Sequence, residues 1–124
     1  MTLENKELLL KDLCARLPYN PLVEYKGESY NVLGIAHGRV LLCKPFSSIT
    51  EKDCPLVEEV KPYLFPLSSM TDEQENEFQS LNGWNKCVFP QTEEAFDWLN
   101  AHHFDYRGLI EKGLAIDTTG LNVY

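Results

Sequence analysis

The sequence predicts an α+β fold with an N-terminal helix, a three- to four-stranded antiparallel meander and two to three C-terminal helices. Three observations indicate this class. Leucines recur at helical spacing in the first segment, glycine turns divide the second, and helix-capping residues recur in the last third. The chain of 124 residues has the length of one domain, residues 1–124, and its hydrophobic fraction of 44% is typical of a globular protein.

The first element is a helix from Thr2 to Leu17. Thr2 is a good N-cap residue, and Pro18 restricts the residue before it and ends the helix. An apolar face of this helix is expected to pack against the following strands. That face contains Leu3, Leu10, Leu13, Cys14 and Leu17, with Leu8 and Leu9 widening it.

Three short runs of β-forming residues follow the helix. Two turns, Lys26-Gly27 and His37-Gly38, separate them, and glycine at the second turn position supplies the positive φ that tight hairpin turns require. The runs therefore predict a three-stranded antiparallel meander. Its strands are Leu22–Tyr25, Glu28–Ile35 and Arg39–Lys44.

Two further stretches are less regular. The apolar residues from Val40 to Cys43 do not alternate with polar ones, which predicts a strand covered on both faces. Pro62 and Pro66 then flank Tyr63–Phe65 and disfavour both a helix and a central strand. We therefore expect an extended segment there, either an edge strand or a wrap across the core.

The C-terminal third is predicted to be helical. Thr71 and Gln74 form a capping box at the start of the first helix, and Thr92 caps the second. Asp105 caps a third, short helix, and the apolar run Leu114–Ile116 after it is compatible with a return to the sheet. The three predicted helices span residues 71–83, 92–102 and 106–112.

The charge of the chain is acidic and uneven. Eleven Lys and Arg residues against nineteen Asp and Glu residues give a net charge of −8. Residues 1–50 hold six basic and five acidic residues, whereas residues 71–124 hold three and ten. Because a nucleic-acid binder needs basic groups to displace counterions from phosphate, direct nucleic-acid binding is not expected. An acidic half suits a basic protein partner or mimicry of a polyanion.

The sequence shows neither a secretory leader nor a membrane span. Its first residues are polar and acidic, and no apolar run approaches the roughly 20 residues that cross a bilayer. The four cysteines, at positions 14, 43, 54 and 87, form no CxxC pair and lack a zinc-ribbon or thioredoxin-type pattern. We expect a cytoplasmic protein without a cofactor.

Residue types that bind metals cluster after the second C-terminal helix, at His102, His103 and Asp105. Zinc or iron accepts such ligands, so a small metal-binding protein or metal-dependent enzyme is one alternative. Adjacent helical residues, however, point about 100° apart, and ligands on one helix normally lie four positions apart. The favoured interpretation is a junction between two helices, at which the helix dipoles stabilise a histidine and Asp105.

No catalytic motif accompanies this cluster, since GxSxG, GxGxxG and GxxxxGK patterns are absent from the sequence. The favoured function is a non-enzymatic binding or adaptor protein whose partner is another protein, with an acidic nucleic-acid mimic as a further alternative. The acidic, aromatic C-terminal third is the expected contact surface, because exposed aromatic and arginine side chains anchor interfaces. The candidate anchors, where exposed, are Trp84, Trp98, Tyr106 and Arg107. Arg107 is equally expected to pair with Glu111 one turn later.

Three stretches carry a resemblance to a known family: LLLKDLCARLPYNPLVEY, EEVKPYLFPLSSMT and DWLNAHHFDYRGLIEKGLAI. They resemble a family of small uncharacterised proteins of gut-dwelling bacteria and of their phages and prophages. The resemblance spans Leu8 to Ile116 and is weakest over residues 49–56 and 79–88. It implies a bacterial cytoplasm and a phage-derived accessory or regulatory role, and it brings no catalytic residue.

Overall fold

The computed structural model describes residues 2–44, 54–83 and 90–124. It confirms an α+β fold in which an N-terminal helix precedes a six-stranded mixed sheet and later helices. The helices are α1 (Leu3–Arg16), α2 (Asp72–Leu81) and α3 (Glu93–Ala101). The strands are β1 (Leu22–Tyr25), β2 (Glu28–Ala36), β3 (Arg39–Cys43), β4 (Lys61–Pro66), β5 (Phe104–Asp105) and β6 (Ile116–Asp117). None of the helices in these ranges is long and apolar enough to cross a membrane.

Helix α1 begins where the sequence predicts, but it buries a different face. The Thr2 hydroxyl oxygen caps it by accepting a hydrogen bond from the backbone N–H of Asn5 at 3.2 Å. Leu3 is 70% exposed and Cys14 is also exposed, against expectation. The leucine run at residues 8–10 supplies an apolar side chain to either face, so the spacing alone did not define the rotation of the helix about its axis. The buried residues of α1 are Leu9, Asp12, Leu13 and Arg16.

The meander of β1, β2 and β3 is confirmed. β1 pairs antiparallel with β2, and β2 pairs antiparallel with β3. Lys26 and Gly27 have φ values of 51° and 79°, and His37 and Gly38 have φ values of 54° and 73°. Two consecutive positive φ values are typical of the type I′ turn, whose twist matches that of the flanking strands. Local turn chemistry therefore determines this half of the sheet.

The other half of the sheet differs from the predicted meander, because β4 takes a central place. The strand order is β3-β2-β1-β4-β5, and β6 also pairs with β4. Lys61 and Pro62 of β4 pair antiparallel with β1, and residues 63–66 pair parallel with β6 and β5. Pro62 and Pro66 lie near the ends of β4, so the N–H of Phe65 between them can donate to the carbonyl of His103 at 2.8 Å. The expectation of an edge strand or a wrap is therefore wrong.

The prediction that β3 is covered on both faces is also wrong. Val40 and Leu42 are buried, whereas Leu41 between them is 38% exposed. Val40 and Leu42 join the cluster that contains Leu9 and Leu13 of α1. Val40 and Leu42 thus face this cluster, and burial alternates from Arg39 to Leu42, after which Cys43 is buried as well.

The third predicted C-terminal helix does not form; residues 106–113 make bends and turns between β5 and β6. Gly108 has a φ of 74°, which a right-handed helix does not accommodate. Asp105 accepts hydrogen bonds from the backbone N–H groups of Leu109 and Ile110, both at 2.9 Å, which lie four and five residues further on and thus beyond the reach of a helix N-cap. The chain then returns to the sheet at Ile116, the first residue of β6. The prediction that Asp105 caps a helix is therefore wrong, and its carboxylate instead holds the turn after β5.

The described residues form two buried hydrophobic clusters. The sheet cluster joins α1 to the sheet and to the turns after β5, and most of its side chains are aliphatic. The helical cluster joins α2, α3 and β5, and most of its side chains are aromatic. The sheet cluster contains Leu9, Leu13, Val23, Tyr25, Tyr30, Val32, Val40, Leu42, Val57, Val60, Leu64, Leu109, Leu114 and Ala115. The helical cluster contains Phe78, Ala95, Trp98, Leu99 and Phe104.

Candidate functional site

The structure separates the side chains of His102, His103 and Asp105. The His102 ring lies against the Trp98 ring, with centroids 4.2 Å apart. The His103 ring stacks on Tyr124, with centroids 3.6 Å apart and planes 8° apart. The two carboxylate oxygens of Asp105 accept backbone N–H groups of the following turn. Over the ranges that the structure describes, no group of three or more His, Cys, Asp or Glu side chains could hold a metal ion.

His103 has an unusual electrostatic environment. Burial, followed by the nearby charges of Arg16 and His102, lowers the pKa of His103 from 6.5 to about 4. Its imidazole is therefore neutral at neutral pH, and its buried Nδ1 has no hydrogen-bond partner. Burial raises the pKa of Tyr124 to about 12, and the Tyr124 hydroxyl oxygen accepts the backbone N–H of Leu22 at 2.9 Å. Both stacked rings are thus held in their uncharged forms.

A buried charge network that the sequence did not predict lies near these rings. Arg16 donates from Nε to Oδ2 of Asp12 at 2.8 Å, and from Nη2 to the carbonyl oxygen of Phe104 at 2.6 Å. Arg107 donates from Nη1 to the other oxygen of Asp12, Oδ1, at 2.8 Å. The side chains of Asp12 and Arg16 are 0% exposed, so both charges depend on protein partners. Arg107 pairs with Asp12 and not with Glu111, its predicted partner.

The network was missed because Asp12 and Arg16 have the spacing of an ordinary ion pair on a helix surface. Residues four apart on a helix commonly form such a pair in solvent. A usable signal was present, however, since Asp12 and Arg16 follow Leu9 by three and seven positions and share its face with Leu13. Charges on an apolar face are buried and need partners from elsewhere in the chain. Those partners come from β5 and the turn after it.

The predicted aromatic anchors are largely internal. Trp98 is 7% exposed and belongs to the helical cluster, so it is not an exposed member of that set. Tyr106 is half-buried and packs against the same cluster. The guanidinium of Arg107 lies 4.5 Å from the centre of the Tyr106 ring. Trp84 lies outside the described residues.

Exposed carboxylates cover α2 and α3 without cations beside them in sequence. Seven Asp and Glu side chains of these helices are exposed, and residues 71–83 and 90–106 contain no Lys or Arg. Within the described parts of the chain, none of the seven forms an ion pair. Those in the first turns are stabilised by the helix dipoles. The seven are Asp72, Glu73, Glu75, Glu77, Glu93, Glu94 and Asp97.

A groove of about 340 Å³ lies beside this acidic surface. Its apolar lining consists of Leu67 and Met70, which follow β4, and Phe78 of α2. Glu75 borders the groove with an exposed carboxylate. Gln79 also lines it, and its Oε1 is buried without a hydrogen-bond partner. The groove thus combines an apolar lining with two side-chain oxygen acceptors.

The sequence predicts the acidic helix α2 but not the groove beside it. The capping box of Thr71 and Gln74 is present, and it defines where α2 begins. Leu67 and Met70, however, belong to the short turn that leads from β4 to α2. Their position depends on the central place of β4 in the sheet. The sequence did not predict that place, because Pro62 and Pro66 disfavour a central strand.

Comparison of the chain with models of known protein families, with curated proteins and with solved structures finds no match. What the groove binds is therefore inferred from the chemistry of its lining. Apolar linings bury aliphatic side chains, unpaired carboxylates attract cations, and an unsatisfied acceptor favours a donor. This combination suits an amphipathic, positively charged segment.

Proposed function

We propose that this protein is a non-enzymatic binding module that holds a basic, amphipathic segment of a partner protein in the groove between the Leu67–Ser69 turn and α2. The observation that carries the proposal is the coincidence of an apolar groove with seven exposed, unpaired carboxylates on the adjoining helices. An adaptor role in a bacterial cytoplasm, as a phage-derived accessory protein, is part of the same proposal and is supported by the resemblance of the sequence.

Apolar contacts would supply most of the affinity. Leu67 and Met70 are half-buried in the free protein, and Phe78 closes the groove behind them. A leucine side chain, or the methylene stem of a lysine, would bury further apolar area there at about 25 cal/mol per Å². Methionine adjusts its shape to different neighbours, which suits an adaptor surface.

The carboxylates would supply steering and orientation. Opposite charges on two partners raise the association rate, and salt reduces that effect. Glu75 is placed to pair with a basic side chain at the edge of the groove, and Oε1 of Gln79 can accept an N–H from lysine or arginine. The partner segment would therefore carry leucines on one face and basic residues on the other.

Fluorescence anisotropy with a labelled helical peptide of leucine and lysine tests the proposal, with a leucine–glutamate peptide of equal length as the negative probe. We expect saturable binding of the basic peptide only. Glu75→Lys and Met70→Gln should each weaken it by at least about tenfold, or about 1.4 kcal/mol. Glu7→Lys is the matched control, because it makes the same charge change at an exposed position of α1 and should alter the affinity by less than about twofold.

An acidic mimic of nucleic acid is the second candidate function, favoured by the seven carboxylates taken alone. Such a mimic would bind through charge, so Met70→Gln would leave its affinity unchanged, and Glu94→Lys, at one of the seven carboxylates outside the groove, would weaken binding much as Glu75→Lys does. That pattern would contradict the groove proposal and support the nucleic-acid mimic. No saturable binding of the basic peptide would reject both.

A further inference from the structure

A second concave site lies where α3 ends, on residues that the proposed groove does not use. Its volume is about 390 Å³, and sites for small molecules commonly have about 300–1,000 Å³. The rings of Phe65, Phe104, His103 and Tyr124 line part of it. Such a concentration of aromatic rings around an open cavity is typical of a small-molecule site.

The backbone of His103 has a conformation that histidine seldom adopts. His103 follows His102, the C-cap residue of α3, and has a φ of 63°. Glycine is the common residue at this place in a helix end, because a Cβ atom is strained there. The carbonyl of His103 accepts the N–H of Phe65 at 2.8 Å, so sheet pairing maintains the conformation. The ring of His103 is therefore held at the cavity by a backbone conformation that the sheet pairing maintains.

The imidazole is held in place, but part of its hydrogen-bonding capacity is unused. One face of the ring lies on Tyr124, whose hydroxyl oxygen is in turn held by the N–H of Leu22. The Nδ1 atom of His103 is buried and has no partner. Burial and the nearby charge of Arg16 hold the pKa of His103 at about 4, so the ring presents a neutral edge.

We infer that this cavity binds a small, uncharged, planar heteroaromatic molecule that stacks beside His103 and forms a hydrogen bond with its Nδ1. Polar side chains at the cavity favour a heterocycle over a hydrocarbon, because ring nitrogens and amino groups can pair with them. Gln74 accepts the N–H of Thr71 with its Oε1 at 2.9 Å, which leaves its NH₂ group to donate to a ligand. Ser69 and Thr119 contribute hydroxyl groups to the lining.

The charges around the cavity select an uncharged ligand. Arg16 is paired with Asp12, and Arg107 is paired with the same carboxylate. The described residues that line the cavity include no Asp, Glu, Lys or Arg, so a charged ligand would meet no counterion there.

NMR spectroscopy of the full chain tests the inference, with adenine as the heteroaromatic probe and ribose as a polar probe without an aromatic ring. We expect adenine to shift the resonances of His103 and Tyr124 in a saturable manner, and ribose to leave them unchanged. His103→Phe keeps a ring but removes Nδ1, and it should weaken adenine binding by at least about tenfold. His37→Phe is the matched control, because His37 also has a positive φ, of 54°, and lies outside the cavity lining.

Thermal unfolding shows whether each variant is folded. If His103→Phe fails to fold, His103→Asn replaces it, because asparagine tolerates the left-handed backbone and lacks the ring. The same loss of adenine binding is expected from it. Either the absence of a saturable adenine shift in the wild-type protein, or wild-type affinity in a folded His103 variant, would overturn the inference. Neither result bears on the groove, which shares no lining residue with this cavity.

Discussion

The sheet cluster and the helical cluster are both buried, but they are assembled differently. The sheet cluster draws largely on α1 and the meander, whose elements follow one another along the chain and meet through tight turns. The helical cluster draws on α2, α3 and β5, and β5 reaches its place by pairing Phe104 with the distant Phe65 of β4. Local turn chemistry thus specifies much of one region, while the neighbouring region depends on contacts between distant segments.

The Asp12–Arg16–Arg107 network joins the two clusters. Asp12 and Arg16 lie on α1 between leucines of the sheet cluster, whereas Phe104, whose carbonyl binds Arg16, belongs to the helical cluster. Buried charges are costly when a partner is removed. We therefore expect the network to make the two clusters unfold together.

The largest effect on this coupling is expected from Asp12→Ala. The substitution leaves Arg16 buried without a carboxylate and removes the partner of Arg107, so the free energy of unfolding should fall by about 3–5 kcal/mol. Urea unfolding measures the loss, and amide hydrogen exchange shows where protection decreases. Glu7→Ala, at an exposed position of the same helix, should change stability by no more than about 0.5 kcal/mol. Loss of protection in the sheet cluster alone would contradict the coupling.

The next largest effects are expected from Leu13→Ala and Leu99→Ala, which compare the clusters directly. Both side chains are 0% exposed, one in each cluster. Each substitution should cost about 2–5 kcal/mol. For both variants, urea transitions followed by tryptophan fluorescence and by circular dichroism should coincide. A fluorescence transition at lower urea in Leu99→Ala would mean that the helical cluster unfolds on its own.

A smaller loss of stability is expected from replacing Asp105, whose carboxylate holds the turn after β5. Asp105→Ala leaves the N–H groups of Leu109 and Ile110 without their acceptor, which should cost about 2 kcal/mol. Thr92→Ala removes the cap of α3, whose oxygen accepts the N–H of Ala95, and should cost about 1 kcal/mol. Urea midpoints measure both. The reverse order would show that the turn after β5 does not depend on its cap.

The last effect depends on pH and originates from His103. Because the pKa of His103 is about 4 in the folded protein and 6.5 ordinarily, the unfolded chain takes up a proton between these values while the folded protein does not. The corresponding stability is present above pH 6.5 and decreases as the pH falls toward 4. Urea midpoints across this range should decrease less in His103→Asn than in the wild-type protein. Parallel pH profiles would contradict this origin.

The elements that could be predicted are those specified by adjacent residues. Lys26-Gly27 and His37-Gly38 specify their turns through positive φ, and the capping box of α2 and the N-cap of α3 lie within one turn of the helices that they start. Such signals need no knowledge of distant contacts.

What could not be predicted depends on pairing between remote segments. β4 is central because β5 and β6 return to it, and its prolines tolerate this place only at the ends of the strand. The burial of Asp12 and Arg16 likewise requires Arg107 and the carbonyl of Phe104. The acidic composition predicted the carboxylates beside the candidate groove. The apolar lining of the groove could not be predicted, because it follows from the placement of β4.

The two-sided pairing of β4 has a consequence for biosynthesis. The ribosome completes the antiparallel partner β1 before β4, whereas the parallel partners β5 and β6 are made later. During that interval residues 63–66 of β4 lack their strand partners and are open to strands of other nascent chains, which is a common origin of aggregation. Pro62 and Pro66 lack the N–H that such a strand would need. We therefore expect Pro62 and Pro66 to limit pairing of β4 with other chains until β5 and β6 are synthesised.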